Sequence, residues 1–114
     1  MSYCDLAKIL TENGFNCKED LDGTHIVENL QIIHCEPLVE YIDVEYEHYN
    51  QMKKFKIFIN FKNAVVREPN WGLNIDVKDY IICDYKFIMK IFDSENDFID
   101  ELQRLDSIGL DIKG

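Results

Sequence analysis

Two runs of alternating apolar and polar residues, joined by a short polar segment, constrain this fold most. They occupy residues 38–62. Alternation with a period of two is typical of β-strands that bury one face. The polar segment 50–53 predicts a four-residue loop, and the loop length sets the register of the hairpin. That register pairs apolar residues on one face: Tyr46 with Ile57, Val44 with Ile59, and Ile42 with Phe61.

Amphipathic helices are predicted at both ends of the chain. Ser2 with Asp5, and Ser94 with Asp97, have the spacing of a capping box in which Asp replaces the usual Glu. Glycines at positions 14 and 109 are typical residues for ending these helices. Residues 109–114 are interpreted as a mobile tail.

The segments between the helices read as strands. Asp22-Gly23 predicts a tight hairpin turn between strands at 15–21 and 24–28. Residues 30–35 are interpreted either as a continuation of the strand at 24–28 or as a separate short strand. Residues 64–67 are interpreted as a short strand, residues 73–77 as another, followed by a turn at 78–79, and residues 80–92 as one long strand. We therefore predict a single α+β domain over residues 1–114. Five to seven mostly antiparallel strands form a curved sheet, and both helices pack on one of its faces.

The charge is large and unevenly distributed. The net charge is −10, and residues 1–49 hold 11 acids and 2 bases, whereas residues 50–92 hold 4 acids and 8 bases. Such a balance argues against direct binding of nucleic acid, which needs a basic patch, and against an anionic membrane surface. It favours a basic protein partner. No signal peptide or membrane span is visible, so we expect a cytoplasmic protein.

The sequence offers no motif for catalysis, a cofactor or a metal. It lacks a nucleophile elbow, a phosphate-binding glycine loop and C-x-x-C. A cysteine with a histidine is conceivable as a catalytic pair, but His34 and Cys35 are neighbours on a predicted strand and would face opposite ways. A metal site assembled across strands from His25, His34 and a cysteine is a further alternative. The four cysteines are interpreted as reduced, half-buried thiols: Cys4, Cys17, Cys35 and Cys83.

The candidate binding residues are acids and aromatics on the outward face of the hairpin. They are Tyr41, Asp43, Glu45, Glu47 and Tyr49, with Phe58 on the second arm. In the predicted register Asp43 and Glu45 face Asn60 and Phe58, so no cation lies opposite them. An ordinary solvated face is the competing interpretation. Further candidates are Trp71, which either caps the core or anchors a partner, and the acids of the last helix, Glu95, Asp97, Asp100 and Glu101.

These features favour a small non-enzymatic inhibitor that covers a basic, nucleic-acid-binding surface of a partner protein. Phage-encoded anti-CRISPR proteins, which would act in the host cytoplasm, are inhibitors of this general class. An immunity protein or a secretion chaperone for a toxin or effector is the first alternative. A small ligand-binding or enzymatic domain with a pocket between sheet and helices is the second. The sequence is compatible with a monomer or a homodimer.

Overall fold

The computed structural model describes residues 5–20, 24–63, 76–84 and 86–113. In these ranges the chain forms three helices and six strands. The helices are α1 (Leu6–Glu12), α2 (Gln31–Cys35) and α3 (Glu95–Lys113). The strands are β1 (Cys17–Glu19), β2 (Thr24–Val27), β3 (Val39–Tyr49), β4 (Met52–Phe61), β5 (Ile81–Asp84) and β6 (Phe87–Phe92). All described strand pairs are antiparallel, and the sheet order is β1-β2-β3-β4-β6-β5. The predicted α+β class is confirmed.

The core lies between one face of this sheet and the helices. Alternate residues of the central strands supply one side of it, and apolar residues of the helices supply the other. We call this the inner face of the sheet. The buried strand residues include Ile42, Val44, Phe55, Ile57, Ile59 and Ile88, and the buried helix residues include Leu6, Leu10, Ile32, Phe98, Leu102 and Leu105.

The central hairpin has the predicted faces but a different register. Val44 pairs with Ile57, and Tyr49 pairs with Met52. The loop therefore has two residues, Asn50 and Gln51, and not four. Both have positive φ, at 52° and 63°, as a type I′ hairpin turn requires. The predicted pairing was wrong by two residues, and because a shift of two preserves the side-chain faces, the apolar pattern alone did not exclude it.

The first helix begins later than the capping pattern suggested. Asp5 is the N-cap residue itself, and its carboxylate accepts a hydrogen bond from the Lys8 N–H. Ser2 lies outside the described residues. The end of α1 agrees with the prediction: Gly14 has φ +88°, and the Phe15 N–H donates to the Leu10 carbonyl. Phe15 is buried there, so this Schellman turn directs the chain back onto the core.

The segment predicted as a strand at residues 30–35 is instead the short helix α2. Its N-cap residue, Leu30, makes no side-chain capping bond. The Gln31 N–H instead donates to the Asp106 carboxylate of α3 at 3.0 Å. Leu30 and Ile32 are fully buried. A tertiary contact 75 residues away thus satisfies the start of this helix, which no local pattern could indicate.

Residues 80–92 form two paired strands and not one long strand. Ile81 pairs with Met89, and the chain turns between β5 and β6. Ile88 and Phe92 of β6 are buried in the core, whereas Phe87, Met89 and Ile91 lie on the opposite face. The run was ambiguous because both of its faces are apolar. The predicted turn at 78–79 is present.

Of two other predicted strands, the structure covers only the last two residues of the one at 73–77. Val77 is buried but belongs to no strand. The predicted short strand at 64–67 and residues 73–75 lie outside the described residues, as does the Asp22-Gly23 turn. The hairpin that this turn was predicted to join is confirmed, because β1 and β2 pair antiparallel.

The last helix begins where predicted. The Asp97 N–H donates to the Ser94 hydroxyl at 3.2 Å, which confirms the N-cap. The helix does not end at Gly109 but continues to Lys113. Phe98, Ile99 and two leucines, one helical turn apart, form its buried stripe.

Candidate protein-binding face

The five predicted binding residues of β3 lie together on the face of the sheet opposite to the helices. We call this the outer face. Their neighbours Ile42 and Val44 are buried on the inner face, and alternation along the strand places the others outward. We call these five residues the β3 strip: Tyr41, Asp43, Glu45, Glu47 and Tyr49. The first three are half-buried, whereas the last two are exposed, with Tyr49 71% accessible at the hairpin end.

Lys56 on the neighbouring strand partly neutralises the β3 strip. Its Nζ lies 3.8 Å from Glu45 Oε1 and 3.0 Å from Glu47 Oε1. The predicted register, in which Glu45 faced Phe58 with no cation opposite, was therefore wrong on this point, because Glu45 pairs with Lys56. Lys54 is directed elsewhere, to Asp93 Oδ1 at 2.6 Å. Partly exposed ion pairs such as these contribute about 0–1 kcal/mol each, so a cationic side chain of a partner can replace Lys56 at little cost.

Of the three acids in the β3 strip, Asp43 alone forms no ion pair with a described residue. It lies between Ile26 and Phe58, its cross-strand partners on either side. Its Oδ1 is buried, and none of the described residues donates a hydrogen bond to it. Burial, with the nearby acids Asp20 and Glu45, raises the pKa of Asp43 to about 6. A hydrogen-bond donor from a partner protein would therefore stabilise the Asp43 carboxylate.

The raised pKa of Asp43 predicts a specific pH dependence of stability. Its ordinary pKa is 3.8 and its folded pKa is about 6. Below pH 3.8 the carboxyl is protonated in both states, and between the two values the folded state binds more protons, so stability falls as pH rises. We expect Asp43→Asn to raise the free energy of unfolding by about 1 kcal/mol at pH 7.5, discounted for partial exposure, with the gain disappearing at low pH.

Urea denaturation across this pH range measures the effect. Glu12→Gln, at an exposed acid of α1, controls for the loss of one negative charge. A stability difference between Asp43→Asn and the parent that stays constant with pH would show that the carboxyl is not destabilised by its surroundings.

The outer face also carries an apolar strip, and of its residues only Phe58 was a binding candidate from the sequence. It lies beside the β3 strip, on β4, β6 and β5. Phe58 and Phe87 meet edge to face, with ring centroids 5.7 Å apart. Ile91 is 45% and Ile81 57% exposed. We call these residues the apolar strip: Phe58, Phe87, Met89, Ile91 and Ile81.

The acids of α3 divide into two kinds. Glu95, Asp97 and Asp100 are exposed on the first turns of the helix. Glu101 is buried, and its carboxylate accepts hydrogen bonds from the Tyr80 hydroxyl and from Arg104. Glu101 is therefore committed within the molecule and is left out of the binding face. Sequence reasoning missed this network because Tyr80 lies 21 residues before Glu101.

A surface pocket of about 490 Å³ lies between β6 and the start of α3. Its lining mixes both signs of charge, including Lys90 and Arg104 with Asp93, Asp97 and Asp100, around Phe92. The Lys90 Nζ lies 5.1 Å from the Phe92 ring centroid. With Glu101, the lining holds four acids against two bases.

The structure describes three of the four cysteines and all three histidines. Cys17 and Cys35 are half-buried, as predicted, whereas Cys83 is exposed. Cys4 and Trp71 lie outside the described residues. Burial, with Glu28 and Asp5, raises the pKa of the Cys17 thiol, which lowers its reactivity. His34 and Cys35 are on a helix and not on a strand. In the described part of the chain no three His, Cys, Asp or Glu residues are grouped as metal ligands would be.

Comparison of the chain with protein-family models, curated protein sequences and solved structures found no significant match. Among the described helices, none is long and apolar enough to cross a membrane.

Proposed function

We propose that this protein is a non-enzymatic binding module that attaches to a basic surface of a partner protein through the outer face of its sheet. The main observation behind this proposal is the environment of Asp43. Its carboxylate is half-buried at the centre of that face, and within the described residues its Oδ1 receives no hydrogen bond. An Arg or Lys from a partner would supply the missing donor and offset the cost of burying the charge.

The surroundings of Asp43 support the same proposal. Glu45 and Glu47 share a single lysine, so together with Asp43 they leave an excess of negative charge on the β3 strip. Tyr41 and Tyr49 border these acids, and tyrosine is enriched among residues that dominate binding energy. The net charge of −10 would accelerate encounter with a basic partner.

The function we propose for this binding is inhibition. Carboxylates on a rigid hairpin can occupy the sites that a basic protein uses for phosphates, so that nucleic acid is excluded. This is the mode expected of phage-encoded inhibitors of host defence nucleases, including anti-CRISPR proteins. The partner is then a nucleic-acid-binding effector in the cytoplasm of the host.

Reversal of two charges on the β3 strip should strongly weaken capture of the partner. We expect the variant Asp43→Lys with Glu45→Lys to lose at least about tenfold in affinity, because removing a desolvated charge pair costs about 2 kcal/mol or more. The measurement is capture from a bacterial lysate by the tagged protein, followed by mass spectrometry.

The matched control variant is Glu12→Lys with Glu19→Lys. It makes the same change in net charge at exposed acids away from the outer face. Equal loss of capture by both variants would show that total charge, and not the β3 strip, governs binding.

A further inference from the structure

We propose that the part of the partner seated on the outer face is a basic amphipathic α-helix. Its cationic side chains would lie on the β3 strip, and its apolar side chains would lie on the apolar strip. This inference rests on the proposed function, and it adds the shape and the second chemical character of the ligand.

The cross-strand register places the two strips side by side. Asp43 pairs with Phe58, which pairs with Met89, which in turn pairs with Ile81. One row along, Glu45 pairs with Lys56, and Lys56 pairs with Ile91. Each row therefore passes from an acid on β3 to an apolar side chain on β6. A ligand that matches it must carry positive charge on one side and apolar groups on the other.

The spacing of the strips fits a helix. Neighbouring strands are about 4.8 Å apart, so β3 and β6 are roughly 10 Å apart across β4. A helix with its side chains is about 10–12 Å wide. One helix lying along the strands would thus reach both strips at once, whereas a single extended segment would cover only one of them.

The exposure of the apolar strip supports a ligand with an apolar side. Ile91 is 45% and Ile81 57% exposed, and they adjoin the half-buried Met89. Contiguous exposed apolar residues next to charged ones are typical of protein interaction sites. The charged half of the site favours arginine as the cationic residue of the partner. Its guanidinium can bind the Asp43 carboxylate while it lies against the Phe58 ring.

Two synthetic peptides test the helix directly. One is an 18-residue peptide of Leu and Arg in an amphipathic helical pattern, and the other has the same composition in scrambled order. Binding to the whole protein is measured by fluorescence anisotropy. We expect the amphipathic peptide to bind at least about tenfold more tightly, because only it buries apolar surface and places its charges on the acids together.

Two exposed isoleucines provide matched variants. Ile91 lies on the outer face, and Ile82 has the same 45% exposure but pairs with the inward Ile88. We expect Ile91→Ser to weaken the amphipathic peptide about fivefold without affecting the scrambled one, and Ile82→Ser to affect neither. Asp43→Lys should weaken both peptides.

The outcomes separate this inference from the proposed function. Equal binding of the two peptides, or equal effects of Ile91→Ser and Ile82→Ser, would overturn the helix and leave recognition of a basic partner standing. Failure of both peptides to bind, or binding that Asp43→Lys does not weaken, would overturn both.

Discussion

Phe98→Ala is expected to lower the free energy of unfolding by about 3–5 kcal/mol, the usual cost of removing a buried aromatic ring. Phe98 is fully buried. Its ring stacks on Phe55 of the central hairpin, with centroids 5.0 Å apart, and meets Phe92 edge to face at 6.3 Å. One side chain therefore joins α3 to two strands, and its loss leaves a cavity where the helix covers the sheet.

Urea denaturation measures this loss. Gln103→Ala, at an exposed position of the same helix, is the control and should change stability by less than about 0.5 kcal/mol. A Phe98→Ala protein as stable as this control would contradict the placement of α3 on the inner face.

Glu101→Ala is expected to lower the free energy of unfolding by about 2–3 kcal/mol. The carboxylate accepts the Tyr80 hydroxyl at 2.7 Å and two Arg104 donors at 2.8 and 2.7 Å. Burial, and then the charge of Glu101, raise the pKa of Tyr80, so this phenol stays protonated as a donor. Removal of the acceptor leaves the buried Tyr80 hydroxyl unsatisfied. Arg104 is partly exposed and can turn to water, which limits the loss.

Asp100→Ala is the neighbouring control, because Asp100 is exposed on the same helix. Thermal or urea unfolding of the two variants, with partner capture measured beside it, distinguishes the possible roles of Glu101. A Glu101→Ala protein that keeps its stability but loses capture would return Glu101 to the binding surface, where the sequence first placed it.

The sequence predicted the features that depend on side-chain periodicity. The alternation of Ile42 and Val44 with Asp43 and Glu45 is visible in any register, so the buried and outward faces of the hairpin followed from the pattern. The N-cap of the last helix and the end of the first helix were predictable because they also depend on local contacts. Ser94 contacts a backbone N–H three residues away, and Gly14 takes the positive φ that ends its helix.

The features that the sequence did not predict depend on distant contacts. The predicted register was wrong by two residues because the turn has positive φ at Gln51 as well as at Asn50. Glutamine is an uncommon residue for that conformation, so the sequence did not indicate a two-residue turn. Helix α2 depends on a cap from Asp106. Residues 80–92 were predicted as one long strand because apolar residues continue through the run on both faces. The pairing of β5 with β6, which divides the run into two strands, is a tertiary contact.

The candidate site also has features that the sequence predicted and features that depend on distant contacts. The β3 strip was predictable from one strand, whereas the burial of Asp43 depends on its cross-strand neighbours Ile26 and Phe58. The assignment of Lys56 to Glu45 required the true register. The commitment of Glu101 to Tyr80 required the tertiary fold.

The proposed inhibition is tested most directly by letting this protein and nucleic acid compete for the captured partner. The tagged protein is loaded from bacterial lysate at low salt, washed, and then challenged with DNA or RNA or with high salt. We expect that a basic protein is retained at low salt, is released by nucleic acid or salt, and is not retained by Asp43→Lys with Glu45→Lys. Retention that nucleic acid leaves unchanged, or that the double lysine variant preserves, would contradict it.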